Sequence, residues 1–261
     1  MKKIIVYFTA IFVMTAVHTL AAPEVNEIVK KANNASYYQG DDGKAKVIMT
    51  ITDRQGRKRI REFIILRKDK TDGGDQFYYV YFKKPSDVRK MVFMVWKHPG
   101  KDDDRWLYLP SMDLVKRISA SDKRTSFAGS DFFYEDVSGR SIDEDSHKLV
   151  EETGQYYILN SIPKNLETVE FASYKIWIDK KSHLPVKAEY LNKSGKKYRT
   201  VEALDIKNVQ NLPTVIRSRV TNYESGSVTV LEFKDIRYNL GLKANIFTER
   251  YLRRAPGVAR R

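Results

Sequence analysis

Four side chains in the stretch TSFAGSDFFYEDVSG, Thr125 to Gly139, could do chemistry: Ser130, Asp131, Glu135 and Asp136. A serine between a glycine and an aspartate could be a nucleophile. Acids beside Phe127, Phe132, Phe133 and Tyr134 could form a sugar or metal site. The spacing argues against each reading. Ser130 follows Gly129 but is not in G-x-S-x-G, and no strand–elbow–helix pattern of a doubly wound sheet surrounds it. A serine nucleophile also needs a base, and His98, His147 and His183 are all distant in sequence. Glu135 and Asp136 are adjacent, so on a helix they point in different directions and do not build a two-carboxylate glycosidase site. The histidines lack metal-ligand spacing, and no P-loop or dinucleotide glycine motif is present. Asp102 to Asp104 lack the register of a calcium loop and read as a solvated acidic turn.

No catalytic residue, metal or cofactor is therefore expected. Gly129, Ser130, Asp131 and Asp136 read instead as a structural motif. Ser130 or Asp131 caps a short helix running to about Val137, and Glu135 or Asp136 sits near its positive end. A lipid hydrolase with Ser130 as nucleophile is the chemical alternative.

The elements around this motif are mostly strands. Val25, Ile28, Val29 and Ala32 have helical spacing, so Glu24 to Asn34 is a short amphipathic helix. From KAKVIMTITD the period changes to two, and RQG turns the chain into a returning strand, Lys58 to Lys68. DQFYYVYFKKP, RKMVFMVWKHP and DRWLYLP follow, each ending at a proline corner. Further strands run through Lys148 to Ile158, Val169 to Asp179, Pro185 to Leu191, Lys197 to Val209, Leu212 to Tyr223 and Val228 to Tyr238. About ten strands with tight turns argue one curved antiparallel sheet, a barrel or part of one, in a single domain. A last helix is expected over Lys243 to Arg253, before a mobile basic tail, RRAPGVARR, from about residue 253. Several early strands are apolar on both faces, and Tyr78, Val80 and Phe82 alternate with Phe77, Tyr79 and Tyr81. The second face needs cover from protein, ligand or membrane.

Lys2 and Lys3, an apolar run to Val17 and small residues at Thr19 and Ala21 read as a secretory leader cleaved after Ala21, leaving a domain of residues 22–261. The chain has no cysteine, which excludes disulfides, thiol chemistry and a cysteine-linked lipid anchor. Of 47 basic residues, two fall in the leader; the 45 that remain against 33 acidic ones leave about +12. In an exported protein such charge suits anionic lipid head groups, acidic proteins or polyanionic glycans, and not nucleic acid.

WLYLPSMDLVKRI, SFAGSDFFYEDV and NIFTERYLRR together resemble the bacterial outer-membrane lipoprotein-sorting family, within the superfamily of LolA and LolB. The resemblance runs in order through most of the chain after the leader. It implies an incomplete, strongly curved antiparallel β-barrel whose open side is closed by a few short helices. It also implies a soluble, non-enzymatic periplasmic carrier, binding a lipid or lipoprotein acyl chain in an apolar cavity for transfer toward the outer membrane. Its partners would be an inner-membrane exporter of the resistance-nodulation-division type or an outer-membrane acceptor, and the protein itself would be a monomer. A periplasmic sensor with the same fold is the alternative. On this reading Phe77, Tyr79, Met91, Phe93, Trp106 and Tyr108 line the cavity. Phe127, Phe132, Phe133 and Tyr134 close it. A register error of one residue exchanges the two faces of a strand.

Overall fold

The computed structural model describes residues 24–261. The expected leader, residues 1–21, lies outside the described residues. Among the described residues no helix is long and apolar enough to cross a membrane.

Alternation in the first hairpin starts a single large sheet. In β1 (Asp42–Thr52) Ala45, Val47, Met49 and Ile51 are buried, with half-buried residues between them. Asp53 turns the chain by accepting hydrogen bonds from the backbone of Gln55 and Arg57, both at 3.0 Å. In β2 (Lys58–Asp69) Phe63 then pairs with Val47. The sheet continues through β3 (Gln76–Lys84), β4 (Val92–Lys97), β5 (Asp104–Leu109) and β6 (Leu114–Arg117). After residues 118–144 it resumes as β7 (Asp145–Glu152), β8 (Tyr156–Pro163), β9 (Phe171–Asp179) and β10 (Pro185–Asn192). It ends with β11 (Lys197–Val209), β12 (Leu212–Asn222) and β13 (Ser227–Tyr238). The strand order is β6-β5-β4-β3-β2-β1-β13-β12-β11-β10-β9-β8-β7. Two meanders of successive hairpins thus meet at one seam, where β1 pairs antiparallel with β13. The barrel is incomplete: β6 and β7 are its two edges, and residues 118–144 strap them together across the inner face.

Both faces of β2–β5 are dry. The inner face carries Phe63, Tyr78, Val80, Phe82, Phe93, Val95 and Leu107, packed with Phe127 and Tyr134 of the strap. The outer face carries Ile64, Leu66, Tyr79, Val92, Met94 and Trp106, packed under Leu242, Phe247, Leu252 and Ala259. Helix α1 (Val25–Tyr37) lies on the other meander, burying Ile28, Val29 and Ala32 against Leu159 and Ile178.

Thirteen strands form where about ten were expected. Leu114–Arg117 is too short to announce itself by pattern, and Thr153-Gly154-Gln155 splits the strand expected at Lys148 to Ile158 into β7 and β8. The C-terminal tail, expected to be mobile, is placed against the outer face of the sheet. After the strap's own helix, α2 (Tyr134–Ser138), the chain ends in two short helices, α3 (Arg250–Arg253) and α4 (Gly257–Arg260). Trp96 Nε1 donates to Phe247 O at 2.7 Å and the Tyr79 hydroxyl to Tyr251 O at 2.6 Å. Asp42 accepts from Leu240 N and Leu242 N, both at 2.6 Å. The tail supplies apolar knobs, Phe247, 1% exposed, and Ala259, 0% exposed. That small apolar set outweighs the arginines around it. Phe247→Ala should therefore cost about 3–5 kcal/mol in urea-denaturation stability; an unchanged midpoint would mean that the segment does not seal the outer face.

Candidate functional site

The inner face is not filled completely. A cavity of about 340 Å³ lies between the sheet, the strap and the end of α1. Met49, Phe63, Ile65 and Val80 of β1–β3 form its floor, and Leu231, Phe233 and Val215 of β12–β13 form one wall. Ala35, Ser36 and Tyr37 of α1, with Phe127, Phe132 and Val137 of the strap, close it from above. Polar residues, among them Gln39, Lys44, Arg67, Asp136, Thr214 and Tyr238, stand between the apolar ones. A second, smaller space of about 160 Å³ lies on the other side of Tyr37, bounded by Arg124, Glu135, Arg140, Asp145 and Tyr190.

The candidate residues divide between the faces. Phe127 and Phe132 line the cavity. Phe93 and Met91 lie on the inner face, and Phe93 packs on Phe127 and Tyr134 with ring centroids 5.6 and 4.9 Å apart. Phe77, Tyr79, Trp106 and Tyr108 lie on the outer face. Phe77 stacks on Phe247 at 5.6 Å, and the Tyr108 hydroxyl donates to Asp113 at 3.2 Å. The register reason is direct: Val80 pairs with Phe93, so even positions of β3 face inward with odd positions of β4. Sequence reasoning missed Tyr78, Val80, Phe63 and the β12–β13 wall. The usable signal was NIFTERYL at the C-terminus, whose apolar residues need the outer face.

The strap's acids are structural, though not as the spacing suggested. Helix α2 begins after Phe133, and Asp136 reaches back to accept from Phe133 N at 2.7 Å. Neither Ser130 nor Asp131 caps it. Ser130 Oγ donates to Phe127 O at 2.7 Å, and Asp131 accepts from the hydroxyls of Ser227 and Thr229 on β13. Two hydroxyls aimed inward from a strand outbid a helix end for that carboxylate. Gly129, at φ +73°, turns the chain between them, and Arg59 of β2 donates to its carbonyl at 3.2 Å. None of the partners of Ser130 among the described residues is a base. His147 bonds to Ser161 and Ile142 O, and His98 sits between Asp75 and Asp104. Asp103, expected in a solvated turn, pairs with buried Arg105 at 2.6 Å.

Glu135 is 2% exposed and meets three cations: Arg124 at 2.6 Å, Lys123 at 3.0 Å and Arg140 at 3.3 Å. Each cation reaches onward, Arg124 to Glu170, Lys123 to Glu144 and Arg140 to Asp145. Arg199 of β11 joins this polar layer, pairing with Asp136 while its guanidinium lies 4.4 Å from the Phe133 ring centre and 5.3 Å from that of Tyr190. Its Nε and Nη1 have no hydrogen-bond partner among the described residues, and the two rings stand in for one. Lys97 donates to Ser138 O and Gly139 O, and burial pushes its ammonium down to about 8.

The end of α1 is fixed to this layer. Its C-terminal carbonyls need donors, and Tyr37 O accepts from Arg67 and Gln76. Arg67 also donates to Gln39 O and Gly40 O. The Tyr37 ring occupies the space beside Gly139, where a Cβ would stand 2.4 Å from it, so only glycine fits.

Burial would raise the Glu135 carboxyl; Arg124, Lys123 and Arg140 overcome this and hold it at about 2, against 4.5 unpaired. A lowered folded-state value adds stability that is complete above pH 4.5 and is lost as pH falls toward 2. Glu135→Ala, which removes the acid shared by three buried cations and leaves each with its outer partner alone, should cost about 3 kcal/mol at neutral pH. It should also flatten this acid limb in pH-dependent unfolding; parallel limbs for variant and parent would show that another group holds the strap.

Comparison with other proteins agrees with the geometry. A family model described as "uncharacterized protein" matches residues 74–254. Among curated proteins none matches the chain. A DUF1329 family protein from Desulfovibrio piger is 28% identical, with a TM-score of 0.79 over 87% of this chain and 98% of that one. A protein from Vibrio parahaemolyticus, described as an outer membrane lipoprotein-sorting protein domain, is 28% identical, with a TM-score of 0.78 over 87% of this chain and 97% of that one. A LolA superfamily protein from Nitrosomonas europaea shares the fold at 20% identity, with a TM-score of 0.66 over 88% of this chain and all of the other. With the family model spanning well over half of its residues, the chain belongs to that family of uncharacterized proteins, and it is similar over most of its length to the DUF1329 protein and to the lipoprotein-sorting protein domain.

Proposed function

We propose that this protein is a periplasmic carrier that takes up a lipid or lipoprotein acyl chain and passes it toward the outer membrane. The observation that carries the reading is the apolar cavity under the strap and α1. At about 340 Å³ it falls in the range of ligand pockets, roughly 300–1,000 Å³. Each methylene it takes from water is worth about 0.8 kcal/mol, so a long chain crosses an aqueous compartment only inside such a space. The relatives described as lipoprotein-sorting and LolA-superfamily proteins support the same reading.

The cover is built for reversible access. The cavity roof at Ala35–Tyr37 is the last turn of α1, tied by hydrogen bonds from Arg67 and Gln76, while the apolar anchors Ile28, Val29 and Ala32 hold the earlier turns of the helix. Moving it exchanges polar contacts for water and leaves the sheet intact. An inner-membrane exporter would supply the cargo, or an outer-membrane acceptor receive it.

Native mass spectrometry with lipid extraction, on protein purified from its own envelope, tests this. Acyl lipid should co-purify with the parent. Leu231→Trp, which adds bulk to the cavity wall, should lose several-fold of it with little change in melting temperature. Protein that carries no lipid under any condition would sink the carrier reading.

A further inference from the structure

The outer face bears a second feature, opposite the cavity. An open groove is lined by Tyr81, Lys90, Arg250, Arg254 and Arg260, together with the other residues of the C-terminal segment. All four cations are exposed. Among the described residues none of the four has an acidic partner within 4.0 Å, whereas neighbouring Arg253 is taken by Asp113 at 2.9 Å. The scaffold beneath them is firm, because Leu252, Pro256 and Ala259 are buried. The positive surface extends to Lys44 at the start of β1, Lys83 at the end of β3, Arg237 at the end of β13, and Arg261. Burial, and then the charges of Lys83, Arg237 and Arg261, hold the Lys44 ammonium below its usual value. Asp235 beside Lys44, and Glu62, which pairs with Lys46 and Lys84, offset part of this charge; the unpaired groove cations remain an electrostatic cost that an anionic partner would offset.

The same face also shows apolar surface. Ile60 is 53% exposed in a neighbouring depression with Lys83, Pro85 and Arg89. Tyr81, Tyr251 and Val258 are half-buried beside the cations. Cations spread over a broad surface beside exposed Ile60 and half-buried tyrosines suit a lipid interface, where charge meets phosphate and the apolar side chains meet the head-group region. An acidic peptide would call for a deeper, bounded cleft.

We propose that this outer face, centred on Lys90, Arg250, Arg254 and Arg260, docks the protein onto an anionic phospholipid bilayer. The surface stands whether or not the cavity takes an acyl chain. Docked in this way, the protein would present its sealed side to the membrane and leave the strap and the end of α1 free on the far side.

The test is co-sedimentation with vesicles of phosphatidylcholine alone or mixed with phosphatidylglycerol. Binding should require the anionic lipid and weaken as salt is raised. Each basic residue near such a surface is worth about fivefold in partitioning. Arg254→Glu with Arg260→Glu should therefore weaken binding at least about tenfold. Lys193→Glu with Lys196→Glu, an equal charge change in the β10–β11 turn, should leave it within about twofold. Lys90→Glu with Arg250→Glu repeats the first arm should that pair disturb folding by circular dichroism. Leu231→Trp should bind vesicles like the parent, which separates this surface from the cavity. The proposal is overturned by equal losses in the groove and control pairs, by equal binding to neutral vesicles, by no binding to anionic vesicles, or by displacement with inorganic phosphate, which would mark a small-anion site.

Discussion

One buried carboxylate organises the interior. Glu135 sits where a curved sheet would otherwise need an apolar filler, and three cations converge on it. The chain compensates the cost of burying that charge by making each cation a bridge to a different place, to Glu170 ahead of β9, to Asp145 on β7 and to Glu144. The strap is therefore anchored at many points by groups of fixed length and direction. Hydrophobic packing alone would let such a segment slide; ion pairs with defined partners set its position. A space of stable size can then persist next to it.

The two faces of the sheet are treated differently. The outer face of β2–β5 is sealed by a segment of the same chain, with aromatic stacking between Phe77 and Phe247 and hydrogen bonds from Trp96 and Tyr79 to its backbone. The inner face is only partly filled. Leu231 and Phe233 stay half-buried beside the cavity. A sheet dry on both sides under the first meander gives a stiff wall. The boundary at α1 and β12–β13 is less completely packed, and the cavity lies there.

Much of this was legible in the residues. Period-two runs and glycine turns give the hairpins, and the double-sided apolar strands demand cover on both faces. The face assignment was not legible, because a strand with apolar residues at every position carries no parity signal. Met91 and Phe93 fell inward while Tyr79 and Trp106 fell outward, decided by pairing and by the C-terminal segment. The cap was misread for a different reason. Asp131 has local helix-capping chemistry, but Ser227 and Thr229, nearly a hundred residues later, offer two hydroxyls. Long-range partners of this kind leave no mark on local spacing. Arg199 is the sharper case: nothing around it in KYRTVEA marks a guanidinium destined to lie against two aromatic rings.

The seam between β1 and β13 has a consequence for how the molecule assembles. Within each meander every strand pairs with its sequence neighbour, so both halves can form from short loops as the chain is made. β1 finds its second partner only when residues 227–238 exist, and the outer face of β2–β5 is covered only by residues later still. Until then the most aromatic part of the protein has an open strand edge and a bare apolar face at once. Such a half-built sheet is a substrate for holding factors and a hazard for aggregation. Residues 227–261 close both liabilities together.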